Sequence, residues 1–302
     1  MANYRIKLWN FPLFQIPLIC FVSCLIAALL FWLLGFGRPQ VAVAIALDLS
    51  GSTYNNQVEL FNSPGTVLNR EIKAVQAYLE QNNEDVLRRP NQVKVLGFGG
   101  IVKPLTGSFS ADSSKVEKSL LEALETEGIA EEIIPDNTDL NLAIQTGINS
   151  LRTVNKKCRE LILVTDGQGD VSPGIIAQAI SNKVKVNSVV VGQEAIALRG
   201  ASFATRGKYL SGDSNNLSVF FTDNFFKLFN SNLKWIVFWL GLAWISLMWA
   251  LVLPLDRWLF QGLLKMRIDR SGKLAIAHAL FWTVATLSAI WRFWGIPFLS
   301  GC

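Results

Sequence analysis

The sequence predicts an α/β domain, built on a doubly wound and mostly parallel sheet and flanked by transmembrane α-helices. Three observations carry this. Between residues 38 and 230, β-branched apolar runs alternate with amphipathic helical patterns. On either side lie uncharged apolar stretches long enough to cross a bilayer. All ten tryptophans (Trp9, Trp32, Trp235, Trp239, Trp244, Trp249, Trp258, Trp282, Trp291 and Trp294) fall in those flanks, the distribution of segments anchored at a membrane interface. Composition agrees: 51% of the 302 residues are hydrophobic and 17% are charged, against about 25% charged in soluble domains.

The first flank is uncharged over residues 11–36, which is 26 positions. A cleaved signal peptide would have a shorter apolar core, and no small-x-small site precedes Arg38. A lipoprotein reading at Cys24 fails because apolar sequence continues past it. A retained anchor is expected. A second span is expected at about 235–255. A third, shorter segment covers about 274–290, with Arg292 just beyond it; here a full span and a re-entrant or interfacial segment both remain open. Arg257, Lys265, Arg267, Arg270 and Lys273 crowd the connection between them, and WLFQGLLKMRI (258–268) is suited to lying on a membrane surface.

The expected organisation is therefore a cytoplasmic N-terminus and anchor (1–37), the α/β domain (38–230), a transmembrane helix (231–256), a basic amphipathic cytoplasmic loop (257–273), and a third transmembrane helix with a short C-terminus (274–302). Basic residues in short loops set orientation. Arg5 and Lys7 precede span one, and five basic residues separate spans two and three, so both regions are placed in the cytoplasm. The domain is then expected on the far side of the membrane: in the periplasm, at the cell exterior, or in the lumen of an internal membrane.

From Arg38 to Lys234 there are 20 Lys+Arg and 21 Asp+Glu. The overall charge of +5 is thus no basic face, and nucleic-acid binding is excluded on electrostatic grounds. His278 is the one histidine and lies in an apolar run. It reads as a packing or interfacial residue, or as a polar functional group within the membrane. Cys20 and Cys24 stand at i,i+4 in span one; Cys158 is the only cysteine of 38–230, so no disulfide forms within the domain; no C-x-x-C zinc spacing occurs.

Within the domain, VAVAIAL (41–47) is a strand buried on both faces. Residues 70–81 are helical, with Ile72, Val75 and Leu79 on one face. QVKVLGFG (92–99) is a strand. Residues 113–127 and 140–151 are helices, ELILVTDG (160–167) is a strand with a turn, 175–181 is helical, and VKVNSVVV (184–191) is a further strand.

Polar clusters fall at the ends of these elements. Asp48, Ser50 and Ser52 follow the first strand in DLSGS; Thr138 precedes a helix in DNTDL; Asp166 ends a strand in VTDG. In an open α/β sheet the carboxyl ends of the strands form the ligand crevice, where these clusters are expected to converge. Two carboxylates and three hydroxyls are a hard-oxygen donor set suited to Mg²⁺, or to Mn²⁺ or Ca²⁺. An extended segment would point Asp48, Ser50 and Ser52 to one side, with Gly51 permitting the turn between them. Few carboxylates leave residual charge on the metal, so the expected use is docking of a partner's acidic side chain.

This combination resembles the von Willebrand factor type A (VWA) domain over about residues 38–225. Its metal-ion-dependent adhesion site combines D-x-S-x-S with a distant Thr and a distant Asp, which fall on Asp48, Ser50, Ser52, Thr138 and Asp166. The segment 198–217 is similar to the family's closing helix and turn after the last strand. Two features depart from the pattern: a long link at 54–69, and Pro135-Asp136-Asn137 where Gly-Gly often precedes the Thr. Span, VWA domain and span together look like bacterial membrane proteins of the aerotolerance type. The resemblance implies a metal-dependent protein-interaction module, not an enzyme, in assembly or maturation of an envelope complex, with an acidic protein partner and an AAA+ ATPase-linked system. An accessory subunit of a transporter or channel is the alternative. The chain itself has no P-loop pattern.

Overall fold

A computed structural model of the chain describes Trp9 and residues 11–53, 63–84, 89–126, 128–133, 137–155, 158–167 and 169–298. The expectations about Arg5, Lys7, most of the long link (54–62), Pro135 and Asp136 lie outside these residues. Two compact units result: residues 39–230, and the two flanks together.

After α1 (Pro12–Leu34) in the first flank, the sheet unit runs β1 (Val41–Asp48), α2 (Val67–Glu84), β2 (Gln92–Phe98), β3 (Val102–Pro104), α3 (Ser113–Glu125), α4 (Leu140–Arg152), β4 (Cys158–Thr165), α5 (Pro173–Ser181), β5 (Val184–Val191), α6 (Ile196–Ala204) and β6 (Tyr209–Gly212). The described strands form one six-stranded sheet in the order β3-β2-β1-β4-β5-β6, parallel throughout except for the antiparallel β2–β3 pair. The predicted doubly wound, mostly parallel sheet is thus the observed one.

The alternation along β1 explains the two layers of helices. Val41, Val43, Ile45 and Leu47 face one side, in a core with Leu68, Val75 and Tyr78 of α2 and Val116 and Leu120 of α3. Ala42, Ala44 and Ala46 face the other, against Ala143, Ile144 and Ile148 of α4. Small residues let α4 lie close to the sheet: a Cβ on Gly147 would stand 2.6 Å from Leu161 Cδ1. Each fully buried large side chain contributes about 1.5–3 kcal/mol, so this two-sided core dominates the unit's stability.

The sequence expectation of a closing helix and turn over 198–217 is corrected. VKVNSVVV is not the last strand, because β6 follows α6 and pairs parallel with β5. Four residues are too few to print a period-2 pattern. What makes the pairing possible is Gly207, whose missing Cβ would lie 1.9 Å from the Val186 carbonyl oxygen. The chain beyond β6 winds helically through residues 214–229, with a π-helical stretch at Phe220–Phe226. It seals the first core with Phe221 and Phe226, whose ring centroids lie 6.4 and 5.4 Å from that of Tyr78.

The flank unit adds α7 (Leu233–Ala250), a π-helical run (Leu255–Leu263) and α8 (Ile268–Phe293). Among the described residues, three stretches are long and apolar enough to cross a membrane: Pro12–Leu34, Leu233–Leu263 and Ile268–Phe293. Ile16, Ile19, Ile26, Trp32 and Leu33 of α1 are all more than half exposed, as a lipid-facing surface requires. The basic stretch expected as a loop over 257–273 is mostly helical, and α8 takes up its second half. Asp269 suits the positive first turn of α8 and pairs with Lys273 one turn on, at 3.3 Å.

Side chains tie these helices together. Asn232 Nδ2 donates to the Phe31 and Phe36 carbonyls (2.6 and 3.0 Å), satisfying the end of α1 where Gly35 turns left-handed at φ 64°. Gly241 brings α7 against α8; a Cβ there would stand 2.3 Å from Ile290 Cδ1. Trp249 Nε1 donates to Thr283 Oγ1 at 3.1 Å. His278 Nε2 accepts from Trp282 Nε1 at 3.0 Å, one turn along α8.

Candidate metal centre

Strand order reverses between β1 and β4, the point at which an open α/β sheet leaves a crevice beyond its carboxyl ends. Asp48 is the last residue of β1, and Asp166 follows the last residue of β4. Leu47 is in register with Val164, so Asp48 and Thr165 leave the sheet level with each other.

The chain does not stay extended after Asp48, as the sequence reading supposed; it turns at once. The Ser50 amide donates to Asp48 Oδ1 at 3.0 Å. Thr53 closes the turn, its hydroxyl donating to the carbonyls of Asp48 (3.0 Å) and Ser50 (2.8 Å) and its amide also to Ser50 (3.0 Å). Gly51 is not among the left-handed residues, so the tightness comes from Thr53. The turn brings the Ser50 and Ser52 hydroxyls to 3.0 Å from each other, and Ser52 Oγ donates to Asp166 Oδ1 at 2.9 Å.

Thr138 arrives from the other side of the crevice. The Asp139 amide donates to the Gly99 carbonyl at 2.8 Å, fixing this segment to the end of β2, and Asp139 Oδ1 caps α4 by accepting from the Leu142 amide. The Thr138 amide donates to Asn137 Oδ1. Gly167 shows how near Thr138 stands: a Cβ there would meet Thr165 Oγ1 at 3.3 Å, Thr138 Cγ2 at 3.8 Å and Asp48 Oδ2 at 4.0 Å. All five expected residues therefore border one crevice. Ser52 is exposed and Thr138 and Asp166 half-buried, forming the rim; Asp48 and Ser50 are buried and form the floor.

Three participants were not foreseen. Thr53 is one. Thr165 is another: its hydroxyl donates to Asp48 Oδ2 at 2.5 Å and accepts from the Gly167 amide at 2.9 Å. The third is Glu71, in the first turns of α2. It is fully buried, and neither carboxylate oxygen has a hydrogen-bond partner among the described residues. Its helix rests on the Asp48 turn through the Leu68 amide, which donates to the Thr53 carbonyl at 3.0 Å.

The floor is electrostatically tense. Burial pushes the Asp48 carboxyl up to about 6, the Asp166 charge adding to the rise and the Ser50 and Thr165 donors opposing it. Glu71 is raised well above the usual carboxylate range, first by burial, then by the charges of Asp48 and Asp166. A cation in the crevice would relieve both, and the orphaned Glu71 oxygens fit one nearby. Among the described residues no three His, Cys, Asp or Glu side chains gather closely enough to form a cage. The donor set on the crevice is hydroxyl and carboxylate oxygen, which suits a hard divalent ion that keeps part of its water.

No family model matches the sequence, and no curated protein does. Solved structures similar to the chain include an aerotolerance-related membrane protein from Bacteroides fragilis, at 16% identity over 61% of this chain and 96% of that one, with a TM-score of 0.44. BatB from Bacteroides thetaiotaomicron shares 15% identity over 61% of this chain and 96% of its own, with a TM-score of 0.45. Proximal thread matrix protein 1 from the mussel byssus, with a zinc-occupied MIDAS motif, shares 15% identity over 61% of this chain and 47% of its own, with a TM-score of 0.44.

Proposed function

We propose that residues 39–230 are a metal-dependent interaction domain of the VWA type, which grips an acidic side chain of a protein partner through a divalent cation. The observation that carries this reading is the linked set Ser50–Ser52–Asp166 standing over buried Asp48 at the switch point of the sheet. Asp48, Ser50, Ser52 and Thr138 would hold the ion, with Asp166 reaching it through Ser52 or water. The ion, when bound, supplies residual positive charge to an incoming carboxylate. Mg²⁺ is the preferred occupant, because neutral hydroxyls outnumber carboxylates and the site has no soft ligand. This chain's own part is to orient the two serines through Asp48 and Thr53 and to keep the rim open.

In this reading the domain is a binding module and not an enzyme, its hydroxyls serving as metal donors. On the same reading the three apolar helices anchor it as a multi-pass membrane protein, and the basic residues between the second and third support a location of the domain outside the cytoplasm. The family resemblance supports a part in assembly or maturation of an envelope complex, beside an AAA+ ATPase-linked system.

The test is retention of interacting proteins by the tagged full chain, cross-linked in membranes and then solubilised. A specific partner should be held in Mg²⁺ and released by EDTA, and Asp48→Ala should fail to hold it in either condition. Retention unchanged by both chelation and Asp48→Ala would overturn the reading.

A further inference from the structure

The family pattern does not use Glu71, yet the fold places a bare carboxylate there. It shares a helix face with Leu68, three residues earlier, and Leu68 is the residue whose amide is fastened to the Asp48 turn through the Thr53 carbonyl. It has no exposed surface, and no described side chain or amide donates to either oxygen. Leaving such a group unpaired is costly to the fold, and buried polar groups left so require an explanation. The charges that act on it are the carboxylates of Asp48 and Asp166, the two acids of the crevice. Neither can donate to it when ionised.

We propose that Glu71 is a positioning residue for the divalent cation, accepting hydrogen bonds from water bound to the ion on the buried side of the crevice. The proposal rests on the metal-site reading above. In that reading Asp48, Ser50, Ser52 and Thr138 supply the direct donors, and a hydrated Mg²⁺ brings the hydrogen-bond donors that Glu71 lacks. The ion is then held from the floor by Asp48 and, through water, by Glu71, and the rim side of its shell stays free for exchange. Outer-shell partners of this kind typically alter metal affinity by about 10–100-fold.

The experiment is titration of Mn²⁺, followed by the electron paramagnetic resonance of the free ion, and of Mg²⁺ by calorimetry, into the full chain in detergent. Glu71→Gln keeps the shape and removes the charge; Glu71→Leu removes every acceptor. Both variants should bind each ion at least about 10-fold more weakly than the parent, with melting temperatures in EDTA equal to the parent's or higher. Affinity equal to the parent's in either folded variant would overturn the proposal. A fall in the EDTA melting temperature with unchanged affinity would show a purely structural role and overturn it too. If the parent binds neither ion, the metal-site reading itself fails. If Glu71→Gln alone weakens the site while Asp48→Ala does not, the ion sits elsewhere and the proposal fails on that count.

Discussion

The Thr165 hydroxyl donates to Asp48 Oδ2 across the β1–β4 boundary, so the residue that ends one strand orients the acid that ends its neighbour. Asp48 thereby keeps one oxygen for Thr165 and one for the Ser50 amide. Thr165→Val preserves shape and removes the donor. It is expected to destabilise the sheet unit by about 1–3 kcal/mol, the cost of leaving a buried acceptor unsatisfied, and to weaken divalent-ion binding. Thermal unfolding and Mn²⁺ titration of the full-chain variant check both.

Protonation of the floor sets a pH dependence. Asp48 holds its proton to about pH 6 in the fold, above the unfolded value of about 3.9. A raised folded value means that its stabilising contribution is complete below the unfolded pKa and is lost as pH rises through the folded one. The metal-free chain should lose roughly 3 kcal/mol on this account between about pH 4 and pH 7. Glu71, also raised, acts in the same direction. Hydrogen exchange of β1 and β4 amides in EDTA should therefore quicken as pH rises, beyond its intrinsic chemical dependence. Asp48→Asn should flatten the trend. Saturating Mg²⁺ should reverse it, because the ion competes with the protons.

How far the site was legible in the sequence follows from where its residues stand. Asp48, Thr138 and Asp166 each sit at the end of an element whose hydrophobic period is strong, so their convergence at the strand ends could be read directly. Thr165 could not: it belongs to the strand pattern, and its neighbour Asp166 carries the recognisable motif. Glu71 is hidden for a different reason. A glutamate between Arg70 and Ile72 on an amphipathic helix reads as solvent-facing, and only the packing of α2 against the Asp48 turn buries it. The short strands β3 and β6 escaped because three and four residues carry no period. The convergence of Ser50 and Ser52 was anticipated from an extended geometry, but the bonds from the Thr53 hydroxyl and amide to the Asp48 and Ser50 carbonyls produce it.

Gly207 tests the packing that makes β6 a strand. A methyl at this position would collide with the Val186 carbonyl and could be relieved only by moving backbone. Gly207→Ala is expected to cost roughly 3 kcal/mol or more, in the upper range for single substitutions, with loss of exchange protection for β6 amides first. An unchanged melting temperature together with retained β6 protection would contradict the packing described.

The proposed orientation rests on the basic residues between the second and third apolar helices. Asn215→Cys, on the exposed surface of the sheet unit, should react with a membrane-impermeant maleimide in intact cells or spheroplasts. Lys265→Cys, exposed between the last two spans, should react only after permeabilisation. The reverse pattern would put the sheet unit in the cytoplasm.

The claim on which the rest depends is that the crevice over Asp48 holds a divalent cation through serine hydroxyls. Calorimetric titration of Mg²⁺ into the full chain, parent against the Ser50→Ala/Ser52→Ala double variant, addresses it most directly. The parent should bind one ion per chain. The double variant should lose at least about 10-fold in affinity, since even outer-shell changes cost that much, and should keep the parent's melting temperature in EDTA to within a few degrees. Equal affinity in the two proteins, or no binding by either, would contradict the account.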